Sequence, residues 1–248
     1  MVSHYICSSI RIALFILCLI HTVTQAGAAC PVSAPDAVAT PVIVIGFVGG
    51  FVRHDDMVHS VVQVAAHLRR DYPSGVWVEV FENHRRKKAY ADIVRLVDTD
   101  RNGTVSADEK RNARIILYGN SWGASAAVAL AGELEREGIP VLLTVQVDSV
   151  SKRGENDQVI PANVAEAANF YQLNGFVHGK PQIRAADPAR THIIGNFRFD
   201  YKATPIHCKH YPWYDRVFMK SHTEIECDPR VWAQVESLIH SRLLPQHQ

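Results

Sequence analysis

The sequence predicts an α/β protein whose mostly parallel central sheet is covered by helices on both faces. Two observations support this fold class: short apolar strand patterns alternate with helical patterns, and one strand pattern runs through Gly-x-Ser-x-Gly into a helix. Strands separated by helices of this length pair in parallel, because each helix returns the chain to the same end of the sheet. With 248 residues and 47% hydrophobic content, the chain is long enough to bury one substantial core.

The first 28 residues have the pattern of a secretory signal peptide. Arg11 precedes an apolar run at 12–20, and Ala26-Gly-Ala28 supplies small residues for cleavage. The run is too short to span a bilayer. An uncleaved signal anchor is the alternative. We therefore expect a secreted or periplasmic protein with no stable membrane span in its mature form, residues 29–248.

Local patterns predict the elements of the mature chain in order. Residues 41–46 are a β-branched run between Pro and Gly, which is typical of a strand buried on both faces. Residues 149–190 are the least regular part of the chain and are predicted to form a lid. Further strands are predicted at 76–81, 114–120, 141–147 and 191–196, and helices at 57–70, 88–97, 124–130, 163–171 and 229–243.

The stretch 114–123, Arg-Ile-Ile-Leu-Tyr-Gly-Asn-Ser-Trp-Gly, predicts a strand, a sharp turn and the start of a helix. A serine on such a turn has a strained backbone that lifts its hydroxyl out of the sheet, and the helix N-terminus favours developing negative charge. Gly119 and Gly123 stand where the strand and the helix crowd each other, so a side chain at either position would push them apart. Ser121 is therefore a candidate nucleophile, with an ordinary Gly/Ser turn as the alternative.

Three stretches of the chain resemble the α/β-hydrolase family. The first is the turn at 119–123. The second, Val-Ile-Val-Ile-Gly-Phe-Val-Gly-Gly at 42–50, looks like the family's first oxyanion loop, although Ile45 stands where many members have His. The third, residues 221–232, is similar to the family's catalytic histidine loop and the start of its last helix. The resemblance implies an α/β-hydrolase fold and a triad in the chain order nucleophile, acid, histidine.

The triad needs a base and an acid. Among thirteen histidines, His222 comes late and directly precedes the predicted last helix, so we expect it to take the serine proton. Two aspartates compete to orient its imidazole. Asp148 follows the strand after the nucleophile's, a placement similar to thioesterase-like members and some lipases of the family, and it is favoured. Asp200 follows the next predicted strand, which is the more usual place in the family.

An oxyanion hole is expected from the same geometry. Backbone N–H groups must converge where the oxygen of the tetrahedral intermediate carries charge. The residue after the nucleophile, Trp122, is predicted to supply one donor and Phe47 the other. Gly49 and Gly50 can instead make a tight turn.

Three cysteines remain after removal of the signal peptide. Cys208 and Cys227 flank the segment that contains His222, and we expect them to form a disulfide. Cys30 is then free, intermolecular or lipidated. Lipid anchoring is the less favoured option, because the residues before Cys30 lack the leucine that is usual in a lipoprotein signal.

Residues 98–109, Asp-Thr-Asp-Arg-Asn-Gly-Thr-Val-Ser-Ala-Asp-Glu, match a twelve-residue EF-hand loop at each diagnostic position. Gly103 supplies the sharp turn, and hard oxygen ligands at this spacing suit Ca²⁺. The context departs from an EF-hand, because the sequence has no second loop and a strand pattern follows closely. We expect a structural calcium site, with a metal-free Asp/Asn/Gly turn as the alternative. The predicted ligands are Asp98, Asp100, Asn102, Thr104 through its carbonyl, Ser106 and Glu109.

Composition and motifs narrow the function. A formal net charge of +1 and a single short basic cluster at 85–88 argue against a nucleic-acid partner. No motif for an organic cofactor is present. The first hypothesis is a secreted esterase or lipase that acts on a small-molecule ester. A thioesterase or acyltransferase could use the same site, and a catalytically silent, calcium-stabilised binding module is the third hypothesis. The oligomeric state is not predicted.

Overall fold

The computed structural model describes residues 41–243. The predicted signal peptide, Cys30 and the last five residues lie outside the described residues. None of the helices in the described range is both long and apolar enough to cross a membrane. The strands are β1 (Val42–Val48), β2 (Val76–Glu82), β3 (Arg114–Asn120), β4 (Val141–Val147), β5 (Val159–Ile160), β6 (Val164–Gln172), β7 (Arg184–Ala185) and β8 (His192–Phe199). The helices are α1 (Ser60–Asp71), α2 (Arg86–Val97), α3 (Ala107–Asn112), α4 (Trp122–Arg136), α5 (Trp213–Phe218), α6 (Lys220–Cys227) and α7 (Pro229–Leu243).

The main sheet has six strands in the order β2-β1-β3-β4-β6-β8, and every neighbouring pair is parallel. The predicted fold class, a parallel central sheet with helices on both faces, is confirmed. β5 and β7 form a separate parallel pair. Because all main strands run the same way, the carboxyl ends of β1, β3 and β4 meet at one edge, where ligands bind in open α/β sheets.

Strand β1 shows how the sequence builds two cores. Its side chains alternate between the faces of the sheet, so Val42 and Val44 pack into one buried cluster and Ile43 and Ile45 into the other. The first cluster includes apolar residues of α1 and α7, and the second includes those of α2 and α4. Burial on both faces explains why the strand is apolar throughout rather than alternating.

The helix predicted at 163–171 is wrong, because these residues form strand β6 between β4 and β8. Its alanines and glutamate favour a helix, but Ala167, Ala168 and Phe170 are fully buried in the sheet, and that packing overrides the local propensity. Residues 164–172 are therefore not part of a lid. A lid remains a prediction for the flanking residues 149–163 and 173–190.

Candidate active site

Ser121 stands between β3 and α4 with φ 52° and ψ −128°, a left-handed conformation that is uncommon for a residue with a side chain. The crowding predicted at the two glycines is confirmed. A Cβ on Gly119 would lie 2.7 Å from the carbonyl carbon of Gly123, and one on Gly123 would lie 2.1 Å from the Phe47 carbonyl oxygen. The turn is thus a strand–helix elbow held by two close backbone approaches.

His222 and Asp148 are brought together in the structure although they are 74 residues apart in the chain. The distance from His222 Nδ1 to Asp148 Oδ2 is 2.7 Å, and both side chains are buried. His222 lies on the short helix α6 rather than on the expected loop. The bond at Nδ1 leaves Nε2 of the imidazole for exchange of a proton with a serine.

Asp148 follows β4 directly and is fixed from several sides. It adopts φ 44°, and its carboxylate accepts hydrogen bonds from Gln172 Nε2 (2.8 Å) and from the Gly179 backbone N–H (2.6 Å). These donors compensate the burial of a charge, which would be costly without partners. No local pattern in the sequence indicates Gln172 or Gly179 for this role, since both come from the region that is predicted to form a lid.

Asp200 occupies a different environment. It is exposed, and its carboxylate accepts hydrogen bonds from the backbone N–H groups of Lys202 and Ala203 and from Asn174 Nδ2. These bonds, chiefly that from Ala203, lower the pKa of Asp200. The structure therefore gives it the role of a turn-capping carboxylate and joins Asp148 to the histidine.

The electrostatics of His222 follow from its burial and its partner. Burial opposes the charged imidazole, but the hydrogen bond and the negative charge of Asp148 outweigh that effect. Glu226 and Asp215 add smaller contributions in the same direction, so the pKa of His222 is raised above its ordinary value. A raised pKa favours the imidazolium that forms when a serine loses its proton.

Ser121 and His222 line one cavity of about 600 Å³. Among the described residues no hydrogen bond joins the Ser121 hydroxyl to His222, so the elbow and the histidine–aspartate pair share the cavity without direct engagement. Such bonds often tighten only when substrate is bound. The side chains that make the cavity largely apolar are Phe51, Val52, Trp122, Val150, Val177, Tyr211, Tyr214 and Met219.

The two predicted oxyanion donors, Phe47 and Trp122, differ in their position relative to the cavity. Because β1 extends to Val48, Phe47 is fully buried inside the strand, its ring packs near Phe81, and it does not line the cavity. The loop begins two residues later, and Gly49 and Gly50 line the cavity instead. Trp122, the other predicted donor, does line it.

Two asparagines hold this glycine loop. Asn120 Oδ1 accepts from the Gly49 N–H at 3.1 Å, and Asn83 Nδ2 donates to the Gly50 carbonyl at 2.6 Å. Both are almost fully buried, and each stands at or just after the carboxyl end of a parallel strand. Polar residues at that edge were the signal that could have identified them. Because the Gly49 N–H is engaged by Asn120, Gly50 is the better candidate for the second oxyanion donor.

The predicted disulfide between Cys208 and Cys227 is present, with the two Cα atoms 5.9 Å apart. It joins the last residue of α6 to the segment that precedes α5. The covalent loop therefore encloses α5 and the part of α6 that contains His222.

A second buried histidine–carboxylate pair lines the same cavity. His59 Nδ1 lies 2.5 Å from Glu226 Oε1, and Glu226 is on α6 four residues after His222. Burial disfavours the charged form of His59, but the hydrogen bond and charge of Glu226 outweigh it and the pKa of His59 is raised. The two residues are 167 positions apart, and no local pattern in the sequence links them.

The 98–109 loop folds around a set of converging oxygens. Carboxylate oxygens of Asp98, Asp100 and Glu109 lie within 4.8 Å of one another. Asp98 accepts hydrogen bonds from the backbone N–H groups of Asn102 and Gly103, and Gly103 has φ 84°, as the predicted sharp turn requires. The loop ends in the six-residue helix α3, which is followed by the nucleophile strand β3.

Glu109, the last predicted ligand, points back into the loop. Its Oε1 accepts from the Thr99 backbone N–H (2.6 Å) and its Oε2 from that of Ser106 (2.9 Å). Hydrogen bonds from Ser106 and then Thr99 lower the pKa of Glu109 to about 2. The carboxylate is therefore ionised at neutral pH, which is the form that binds a hard cation.

No family model matches the chain, and no curated protein matches it. Solved structures that resemble it are esterases, a thioesterase and an α/β hydrolase. The thioesterase RedJ from the prodiginine pathway of Streptomyces coelicolor is 11% identical, with 80% of this chain and 98% of that chain covered and a TM-score of 0.38.

Two further structures show the same degree of likeness. A thermostable esterase from Pseudomonas putida ECU1011 is 12% identical, with coverages of 84% and 76% and a TM-score of 0.43. A cutinase-like protein from Cryptococcus sp. is 13% identical, with coverages of 84% and 97% and a TM-score of 0.40. At these identities and TM-scores, the chemistry has to be derived from the residues of the site.

Proposed function

We propose that the protein is a secreted serine hydrolase that cleaves carboxylic esters with Ser121, His222 and Asp148. The observation that carries this proposal is a single cavity that contains both a serine on a strand–helix elbow and a buried histidine hydrogen-bonded to an aspartate. Serine hydrolases are recognised by that geometry and by the roles of the groups rather than by sequence position.

In the proposed reaction the Ser121 Oγ attacks the carbonyl carbon of the ester while His222 Nε2 takes the hydroxyl proton. Asp148 holds the imidazole through Nδ1 and stabilises the resulting imidazolium. The N–H groups of Trp122 and Gly50 donate to the tetrahedral oxyanion. Collapse of the intermediate breaks the ester C–O bond, and His222 returns its proton to the departing alcohol. Water then hydrolyses the acyl-enzyme by the same steps.

The apolar lining of the cavity favours a substrate with an apolar acyl group. Phe51, Trp122 and Tyr214 contribute aromatic surface to the cavity that Ser121 lines, and the volume of about 600 Å³ is in the range of small-molecule sites. A thioester substrate, or transfer of the acyl group to an acceptor other than water, would use the same acyl-enzyme and is the second candidate function. No step requires an organic cofactor.

The test is intact-mass analysis after exposure to a fluorophosphonate, with Ser121→Ala as the matched control. We expect a single covalent adduct on the wild type and none on the variant, because only an activated serine reacts. Absence of an adduct on folded wild-type protein would contradict the proposal and favour the silent binding module. Release of p-nitrophenol from esters of different chain length would then identify the preferred acyl group.

We also propose that the 98–109 loop binds a structural Ca²⁺ ion. The donor set fits, because carboxylate, amide and hydroxyl oxygens are the ligands that Ca²⁺ prefers and three carboxylates already converge. Asp98, Asp100, Asn102, the Thr104 carbonyl, Ser106 and Glu109 would hold it. The ion would brace the connection from α2 to the nucleophile strand. A calcium-dependent fold with a disulfide would also suit secretion, where both Ca²⁺ and oxidising conditions are available.

Chelation tests this proposal. Removal of Ca²⁺ should lower the melting temperature, because an ion that binds only the native state stabilises it by mass action. Glu109→Gln should melt at the lower temperature with or without Ca²⁺, while Asp55→Asn, in an exposed carboxylate outside the loop, should still respond. An unchanged melting curve after verified removal of the metal would contradict the role.

A further inference from the structure

A second group of potential metal ligands lies between α1 and α7, outside the catalytic cavity and the 98–109 loop. It consists of His67 and Asp71 on α1 and Glu236 and His240 on α7, which we call the helix-pair cluster. In each helix the two residues are four positions apart, so both side chains lie on one face. The two helices pack into the same hydrophobic core, which brings these faces together.

The donor atoms of the helix-pair cluster are already close to one another. Glu236 Oε1 lies 3.2 Å from His67 Nδ1 and 3.6 Å from His240 Nε2. Asp71 Oδ2 is 4.0 Å from His240 Nε2. The ligand atoms of Asp71, Glu236 and His240 all lie within 4.8 Å of one another. His67 is outside this compact set of three and contacts Glu236, at 3.2 and 3.3 Å from its two carboxylate oxygens, so it would have to move towards the other two ligands to complete a four-coordinate site.

We propose that the helix-pair cluster binds a divalent transition-metal ion, with Zn²⁺ as the best fit. A tetrahedral site with metal–ligand bonds of about 2.0 Å separates its donor atoms by about 3.3 Å. Two of the measured separations are within a few tenths of that value, and the third requires a shift of less than 1 Å. Imidazole nitrogen combined with carboxylate oxygen favours zinc over calcium, which takes oxygen ligands.

The surroundings of His240 support this assignment. Tyr72 Oη lies 2.8 Å from His240 Nδ1, which leaves Nε2, the nitrogen that faces Asp71 and Glu236, as the one to bind metal. A hydrogen bond from the second ring nitrogen is the usual way in which a metal-binding histidine is oriented. One hydrogen bond competes with metal binding, because Arg70 Nε donates to Asp71 Oδ1 at 2.9 Å. It engages the carboxylate oxygen other than the one that faces His240.

An ion at the helix-pair cluster would act as a cross-link. It would join α1, which His59 immediately precedes, to α7, which follows the helix of His222. None of the four ligands lines the catalytic cavity, so the expected effect is on stability and not on the chemical step.

The experiment is a zinc titration of the full mature protein in competition with a chromophoric chelator, in excess Ca²⁺. We expect the wild type to bind one equivalent more tightly than His240→Ala and His67→Ala by at least about tenfold. His192→Ala is the matched control, because His192 is an exposed histidine 3.8 Å from Glu166 that belongs to no such cluster. Its affinity for Zn²⁺ should equal that of the wild type.

A second readout separates binding from misfolding. Zn²⁺ should raise the melting temperature of the wild type and of His192→Ala but not of His240→Ala. If His240→Ala does not fold, Glu236→Gln replaces it, with circular dichroism as the check. Equal zinc affinity and equal thermal response in the wild type and the cluster variants would overturn the proposal.

Discussion

Two histidine–carboxylate pairs meet on helix α6 and face the same cavity, yet they connect different parts of the molecule. Asp148 belongs to the end of a sheet strand, so its pair links α6 to the sheet edge where Ser121 stands. Glu226 belongs to α6 itself, and its pair with His59 links that helix to the start of α1. The same chemical unit therefore joins α6 to a strand end in one pair and to the start of another helix in the other.

The connections around Glu226 strengthen this distinction. Its backbone carbonyl accepts hydrogen bonds from Ser60 Oγ at 2.8 Å and from Trp232 Nε1 at 2.6 Å, so one residue ties α6 to both α1 and α7. Asp148 instead accepts from backbone and side-chain donors next to the sheet. Substituting the histidine or the carboxylate of each pair in turn should separate their effects on activity and on stability.

The largest expected effect is the loss of kcat when His222 is substituted, and His59 serves as the comparison. His222→Ala should lower kcat by about a million-fold, the loss that follows removal of a triad base. His59→Ala should stay within about tenfold of the wild type, because no proton transfer depends on it. Initial rates on a p-nitrophenyl ester, with circular dichroism as the folding control, measure both. A greater loss for His59→Ala would reverse the assignment of the base.

The acids should show the next largest effect. Asp148→Asn should lower kcat by about 10⁴-fold, because the amide favours the wrong tautomer of the imidazole. Asp200→Asn is the matched control, since that exposed carboxylate only caps a turn. The measurement is kcat for both variants. A greater loss for Asp200→Asn than for Asp148→Asn would identify Asp200 as the acid.

Stability should respond to the second pair. His59→Ala leaves Glu226 buried without its partner, and breaking a buried pair in this way costs about 3 kcal/mol or more. His54→Ala is the matched control, because His54 pairs with Glu82 at 2.7 Å but is half exposed, and exposed pairs contribute about 1 kcal/mol or less. Urea denaturation gives both free energies of unfolding. Equal losses would show that the His59 pair does not hold the helices together.

The smallest expected effect is on pH dependence. The pKa of His222 is raised above its ordinary value of about 6.5. On acidification the imidazole is therefore protonated, and lost as a base, already at a pH above 6.5. The acid limb of kcat/KM should therefore have its midpoint above pH 6.5. Glu226→Gln should move that midpoint slightly to lower pH, because it removes one of the charges that raise the pKa. A midpoint below pH 6.5 in the wild type would contradict the electrostatics derived for the site.

The contribution of the His59–Glu226 pair to the free energy of unfolding should fall as the pH rises, which is opposite to the expected rise of kcat/KM. A raised pKa means that the folded state binds the His59 proton more tightly than the unfolded state does. The contribution of the pair is therefore fully present below about pH 6.5 and is lost as the pH rises through the raised pKa of His59. The difference in unfolding free energy between the wild type and His59→Gln should shrink on going from pH 6 to alkaline pH.

Much of the fold could be predicted because its signals are local. The strand patterns of β1 and β4 and the elbow at Ser121 are each set by a few consecutive residues. β6 was misassigned because its alanines are compatible with a helix, and only the space between β4 and β8 selects a strand. The predicted end of β1 falls two residues before Val48, so the sequence pattern places Phe47 just after the strand, whereas the structure places it within the strand and leaves Gly50 as a candidate donor.

The parts of the site that could not be predicted depend on contacts between distant residues. Asp148 and Asp200 both follow strands, and the choice between them rests on the position of α6 relative to β4. Gln172 and Gly179 have no recognisable pattern in the sequence, and their roles exist only once Asp148 is folded against them. The His59–Glu226 pair has no local signature at all.

The disulfide has a consequence for how the protein is produced. The covalent loop it closes spans 19 residues, and a loop of that length is worth about 3 kcal/mol to a folded domain. In a reducing cytosol the sheet and the elbow could still form, but the segment that holds His222 would lose its covalent anchor. A heterologous host that keeps thiols reduced should therefore yield soluble protein of low specific activity. Export to an oxidising compartment, or refolding with a glutathione couple, should restore that activity without any change in sequence.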